Sequence, residues 1–155
     1  MSSILYSREI LRLATLLGDQ KRLEYPDASS DKRSLTCGSR VIADVTLDPN
    51  GRICELALDA RACALGQASA ALVRMHASGR SVEDMCVATD AMRRYLADMS
   101  GTEASDFWPG VEVFAPARNF PARHPSILLA FEAVSEAATE ALQKAASPDD
   151  GDGEL

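Results

Sequence analysis

Apolar residues recur at helical spacing over residues 4–17, where Ile4, Leu5, Ile10, Leu11, Leu13, Leu16 and Leu17 are interleaved with Arg8, Glu9 and Arg12. The spacing predicts an amphipathic helix that stops at Gly18. Residues 19–32 are polar and contain Pro26 and Ser29-Ser30, which predicts an irregular connection, followed by a short edge strand at residues 33–36. The period then changes to two. Val41, Ala43, Val45 and Leu47 alternate with Arg40, Asp44 and Thr46, and Cys54, Leu56 and Leu58 alternate with Glu55 and Asp59. Two such runs, at residues 40–47 and 52–59 and joined by Asp48-Pro49-Asn50-Gly51, predict a β-hairpin with one buried face.

The helical period returns at residues 62–78, where Ala64, Leu65, Ala68, Ala71, Leu72 and Met75 share a face and Gly79 marks the stop. Ser81 with Asp84 reads as a capping box, opening a helix whose stripe is Val82, Met85, Cys86, Met92, Leu96 and Met99, with Gly101 after it. Pro109, Gly110, Pro116 and Pro121 exclude continuous helix over residues 102–123, which reads as an ordered loop. Pro125 suits the first turn of a last helix ending near Ala146, with Ile127, Leu128, Phe131, Val134, Ala138 and Leu142 inward. The predicted class is α+β. A small antiparallel sheet of about three strands carries an N-terminal helix and several packed helices, in one domain over residues 1–146, with a disordered acidic tail at 147–155.

Composition narrows the function. The 155 residues are 46% hydrophobic but only 5% aromatic, so the core is aliphatic and rich in alanine. The formal charge is −7, of which Asp149, Asp150, Asp152 and Glu154 contribute four, and no basic stripe with interleaved aromatics marks a nucleic-acid partner. The longest clean apolar run, residues 127–131, is far short of a membrane span, and Arg8, Glu9 and Arg12 interrupt any signal peptide. A cytoplasmic location is expected, where Cys37, Cys54, Cys63 and Cys86 stay reduced.

An unbulged hairpin centred between Pro49 and Asn50 sets Cys37 opposite Ala62, next to Cys63, and a bulge displaces that register by one. Both thiols are therefore expected at the open end of the hairpin. Cys63 also stands at a predicted helix N-terminus, where the dipole favours an anionic thiolate, the form that metals and persulfide chemistry require. The competing reading, two small buried residues, stays open on this ground alone. Cys54 and Cys86 read as structural. His124, ahead of Pro125 at a helix start, is held neutral by the positive helix end and so is able to ligate, with a capping or surface role as its alternative. His76 has no comparable rationale, and neither a phosphate loop nor a nucleophile elbow is present.

Leu5-Tyr6, Cys37-Gly38, the Asp-Pro-Asn-Gly turn, Ala62-Cys63-Ala64 and Phe120-Pro121-Ala122-Arg123 occur in an order that resembles the NifU N-terminal, IscU-like and SufU-like iron–sulfur cluster assembly scaffolds over residues 4–142. The resemblance implies a protein that takes sulfur from a cysteine desulfurase, holds iron, a nascent [2Fe–2S] cluster or zinc, and passes the cluster to apo-protein recipients. It also implies a ligand set of three cysteines and an aspartate. Cys37 and Cys63 match the first two cysteines, whereas Ser39 stands at the aspartate and Ser126 at the third cysteine. His124, two positions before Ser126, is a candidate third ligand. Two thiolates do not complete a tetrahedral shell, so metal is expected to be held weakly or transiently. Three functions stay open: a scaffold or accessory carrier, a persulfide relay, and a docking paralogue without metal chemistry. Two chains sharing one site, each supplying half a ligand set, is compatible with the first. A free-standing enzyme is not expected, because no acid/base pair or nucleophile constellation is assembled.

Overall fold

Ser7 opens the first helix by accepting the Ile10 amide on its Oγ at 3.3 Å. In the computed structural model, which describes residues 6–18, 21–36, 38–97 and 107–146, this helix is α1, Arg8–Leu16. Ile10 and Leu17 are buried, but Leu11 and Leu16 are exposed, so the inward stripe is narrower than the periodicity suggested. Ile4, Leu5, Met99 and Gly101, and the expected tail at 147–155, lie outside the described residues.

Strands β1 (Ala28–Arg33), β2 (Arg40–Leu47) and β3 (Ile53–Arg61) form one antiparallel sheet in the order β1-β2-β3. The edge strand is displaced from the expected 33–36 because its inward positions are Ala28 and Ser30, and the Ser30 hydroxyl is satisfied by Glu136 Oε1 at 2.6 Å. That partner lies 106 positions away, so polar composition alone reads as loop.

The hairpin register also differs from the unbulged expectation: Arg40 faces Arg61 and Thr46 faces Glu55, a displacement of two residues. Asp48 causes part of it. Its Oδ1 accepts the amides of Asn50 and Arg52, at 2.9 and 3.0 Å, and Gly51 takes φ 81°, enlarging the turn beyond two residues. The remainder is a bulge at Cys54, the extra residue between Ile53 and Glu55. The bulge turns Ile53 inward and leaves Cys54 exposed, reversing its expected facing.

Val41, Ala43, Val45, Leu58 and Ala60 line the sheet face covered by helices. Those helices are α2 (Ala64–His76), α3 (Val82–Ala97) and α4 (His124–Ala146). Helix α4 lies on β1 and β2 and packs against α2 and α3, while α1 rests on α2. The capping box at α3 forms as expected, with Asp84 N–H to Ser81 Oγ at 3.0 Å and Ser81 N–H to Asp84 Oδ2 at 3.2 Å. The proline-rich connection contains two 3₁₀ segments, Val111–Asn119 and Pro121–Arg123. Ahead of them Trp108 is fully buried, donates Nε1–H to Leu72 O at 3.0 Å and meets Phe131 edge-on. Among the described residues no helix is long and apolar enough to cross a membrane.

Candidate functional site

Ser39 immediately precedes β2, Cys63 is the N-cap residue of α2, and Ser126 sits in the first turn of α4. The fold brings these side chains to one point. Cys63 Sγ is 3.2 Å from Ser126 Oγ, and Ser126 Oγ is 3.4 Å from Ser39 Oγ. Ser39 and Ser126 are only 4% and 2% exposed, whereas Cys63 is half-buried, so the chain of groups ends at an accessible sulfur.

Close contact between α2 and α4 sets this geometry. Ser69 Oγ donates to Ile127 O at 2.6 Å, tying the two helices one turn beyond the thiol. Gly66 lets them approach: a Cβ there would stand 2.8 Å from Ser126 Oγ and 2.6 Å from the Ala62 Cβ. The Cys63 side chain makes no capping bond to α2. Its hydroxyl neighbour is therefore the principal polar contact of the sulfur among the described residues.

Cys37 lies outside the described residues, so its expected meeting with Cys63 has no distance. His124 Nε2 is 2.8 Å from Ala117 O. A carbonyl only accepts, so Nε2 carries the hydrogen, and in the neutral ring Nδ1 keeps the lone pair. Cys86 is remote from this point, with Ser135 Oγ at 3.2 Å. His76 stands edge-on to Trp108, in keeping with a packing role.

Two charged groupings on the uncovered face of the sheet escaped the sequence reading. Asp44, fully buried in mid-strand, accepts from Arg22 Nε and Nη2 at 2.6 and 2.9 Å, from Ser29 Oγ at 2.6 Å and from the Leu23 amide at 3.0 Å. Burial pushes its carboxyl up, but the bonds from Arg22, Ser29 and Leu23 outweigh this and hold it below the ordinary aspartate value. Nearer the thiol, Arg33, Arg40 and Arg61 are paired directly across the three strands. The hydrogen-bonded Arg40 guanidinium holds the Asp31 carboxyl below its usual range. The correct register was the missing signal for the arginine row and for Ser29 beside Asp44, whereas Arg22 and Leu23 reach Asp44 from ahead of β1, where no strand register applies.

One thiol and two hydroxyls do not make a closed shell for zinc or a [2Fe–2S] cluster, since a hydroxyl is a poor ligand at neutral pH. Among the described residues no three His, Cys, Asp or Glu side chains converge on a metal position. The chemistry-bearing groups sit on loop and helix ends at one end of the α+β sheet, with the half-buried sulfur outermost. No family profile matches the chain, and no curated protein does. Among solved structures, the N-terminal part of a nitrogen-fixing NifU-like protein from Brucella abortus is 32% identical, with TM-score 0.80, covering 92% of this chain and 98% of that one. A candidate SUF-system iron–sulfur cluster assembly scaffold from thermophilic Fervidobacterium islandicum AW-1 has TM-score 0.79 at 18% identity, covering 89% and 99%. A third structure, of a hypothetical protein, has TM-score 0.73 at 21% identity, covering 84% and 96%. The last two bear on the fold alone. The first shows the family: the chain belongs to the NifU N-terminal, IscU-like and SufU-like scaffolds.

Proposed function

We propose that this chain works in cytoplasmic iron–sulfur cluster assembly, as a scaffold or accessory carrier whose chemistry is centred on Cys63. The convergence of Cys63, Ser126 and Ser39 supports the reading, because these are three of the four positions at which the resemblance puts the family's ligands. Cys37 and Cys63 are the proposed thiolate donors, and His124 Nδ1 is the proposed nitrogen donor. A second copy of the chain, a partner or a small thiol completes the coordination. The cargo is iron with sulfide or a nascent cluster, handed over by a cysteine desulfurase and passed to apo-protein recipients. Metal and acid-labile sulfide should be measured in anaerobically purified native protein and in Cys37→Ser and Cys63→Ser. Iron with sulfide that disappears in both variants is the expected result, and absence of both from the native protein overturns it.

A second reading is favoured by the Cys63–Ser126 contact, since a hydroxyl hydrogen-bonds sulfur far more readily than it ligates metal. Here Cys63 relays sulfur. Its thiolate attacks the outer sulfur of the desulfurase persulfide, the donor's S–S bond breaks, a Cys63 persulfide forms, and the donor cysteine leaves as thiolate. No external oxidant is needed. Mass spectrometry after incubation with a cysteine desulfurase and cysteine should find one added sulfur atom on Cys63, and its absence there removes this reading.

A further inference from the structure

Like charges directly opposite one another on neighbouring strands destabilise a sheet. This sheet nonetheless pairs Arg33 with Arg40 and Arg40 with Arg61, placing three guanidinium groups in one row across its end. Local rules broken in this way are typically broken at functional sites. Strand alternation sets the row on the face that the helices leave uncovered, the face on which Ser29 meets Asp44. Only part of the charge is answered from within. Asp31 holds Arg40 through two bonds, at 2.9 and 2.6 Å, and Asp59 approaches Arg61 at 3.8 Å. Arg33 makes no ion pair among the described residues, although its charge also acts on the Asp31 carboxylate that Arg40 holds.

The row lies at the end of the sheet that leads to the thiol, with Arg40 directly after Ser39 and Arg61 two positions before Cys63. Leu35, in the same β1–β2 connection, is 98% exposed. A large apolar side chain held wholly in water two positions from Arg33, in a row where three arginines face two aspartates, has the composition of an interface anchor, since the core of a protein–protein interface is apolar and arginine is enriched there.

We propose that Arg33, Arg40, Arg61 and Leu35 form a docking surface for an acidic segment of a partner protein, one that presents carboxylates around an apolar contact next to Cys63. Charge complementarity selects the occupant. The chain as a whole carries −7, which repels extended polyanions, so a short acidic segment matched to the width of three strands fits better than a nucleic acid or a lipid surface. That this partner donates sulfur or receives cluster rests on the reading above.

The test is fluorescence anisotropy of a labelled glutamate–leucine octapeptide, and separately of a cysteine desulfurase, against the native chain, Arg33→Gln, Leu35→Ser and the triple Arg33→Gln, Arg40→Gln, Arg61→Gln variant. Arg33→Gln breaks none of the ion pairs described above, and an unchanged urea midpoint for this variant separates a loss of binding from a loss of fold. The proposal expects several-fold weaker peptide binding for Arg33→Gln and Leu35→Ser. It expects a loss of about tenfold or more, with a flattened salt dependence, for the triple variant. Peptide binding equal to native in every variant overturns it, as does arginine-dependent binding of phosphatidylglycerol vesicles or duplex DNA in place of the peptide. Arginine-dependent peptide binding without any desulfurase binding supports the surface and counts against the assembly reading. Desulfurase binding that ignores all four residues supports the assembly reading and overturns the surface.

Discussion

Cys63 Sγ and Ser126 Oγ, 63 positions apart in the chain, meet at 3.2 Å where α2 and α4 begin. The hydroxyl occupies the place at which the resemblance expects a third thiol, and Ser39 stands behind it where an aspartate is expected.

Restoring those two groups should restore a metal site. The double variant Ser39→Asp, Ser126→Cys adds a carboxylate and a thiolate to Cys63 and Cys37. It should take up about one zinc per chain, against a substoichiometric amount in the native protein. Elemental analysis after dialysis decides this, and an unchanged zinc content shows that these side chains do not set the coordination.

Asp44→Asn should lower stability at neutral pH by roughly 1–3 kcal/mol, because a buried charged acceptor of four hydrogen bonds becomes neutral. The native carboxyl is held below 3.8, the ordinary aspartate value. Its contribution is therefore full above that value and is lost as pH falls through the folded one. Urea titrations should find the gap between native and variant constant from pH 7 to 5 and closing below about pH 4. A gap that persists undiminished in acid contradicts the ion-pair account.

Gly66→Ala should destabilise the protein by about 1–3 kcal/mol despite the better helix propensity of alanine, since the new methyl group meets Ser126 Oγ and the Ala62 Cβ. Adding Ser126→Gly should recover part of the loss in urea denaturation. No recovery places the strain at the Ala62 Cβ and the Ser126 carbonyl oxygen, 3.2 Å from the added methyl.

Trp108 is the chain's single tryptophan and is fully buried against Phe131 and the Arg80 guanidinium, 3.9 Å away. Its emission should be blue-shifted and shift red in one step with the loss of helix circular dichroism. Separate midpoints for the two signals contradict one cooperative core. Trp108→Ala should cost about 3–5 kcal/mol.

The fold class, the hairpin and the long helices are legible in the sequence because each rests on periodicity over many residues. What local pattern cannot carry is pairing across the chain. β1 is concealed by Ser30, whose partner is Glu136, and the register by the Asp48 side chain and the bulge at Cys54. The same limit governs the site. Cys63 is marked by its place before a helix, but the nearness of Ser126 came from the family resemblance, and the Asp44–Arg22 pair carries no local signature. Only the three-dimensional register aligns Arg33, Arg40 and Arg61.

Helix α4 places Ser126 beside Cys63 in its first turn and Leu142 against the hairpin turn, 3.6 Å from where a Gly51 Cβ would lie. Its 23 residues span roughly 34 Å without interruption, so one rod joins the two ends of the sheet. Backbone amides in the buried middle of that rod are expected to be among the slowest in the chain to exchange with solvent. Ser126 stands in the first turn of that rod, so its position beside the sulfur is set by the same helix whose far end props the hairpin turn, and a shift of the rod along its axis would be felt at both ends of the sheet at once.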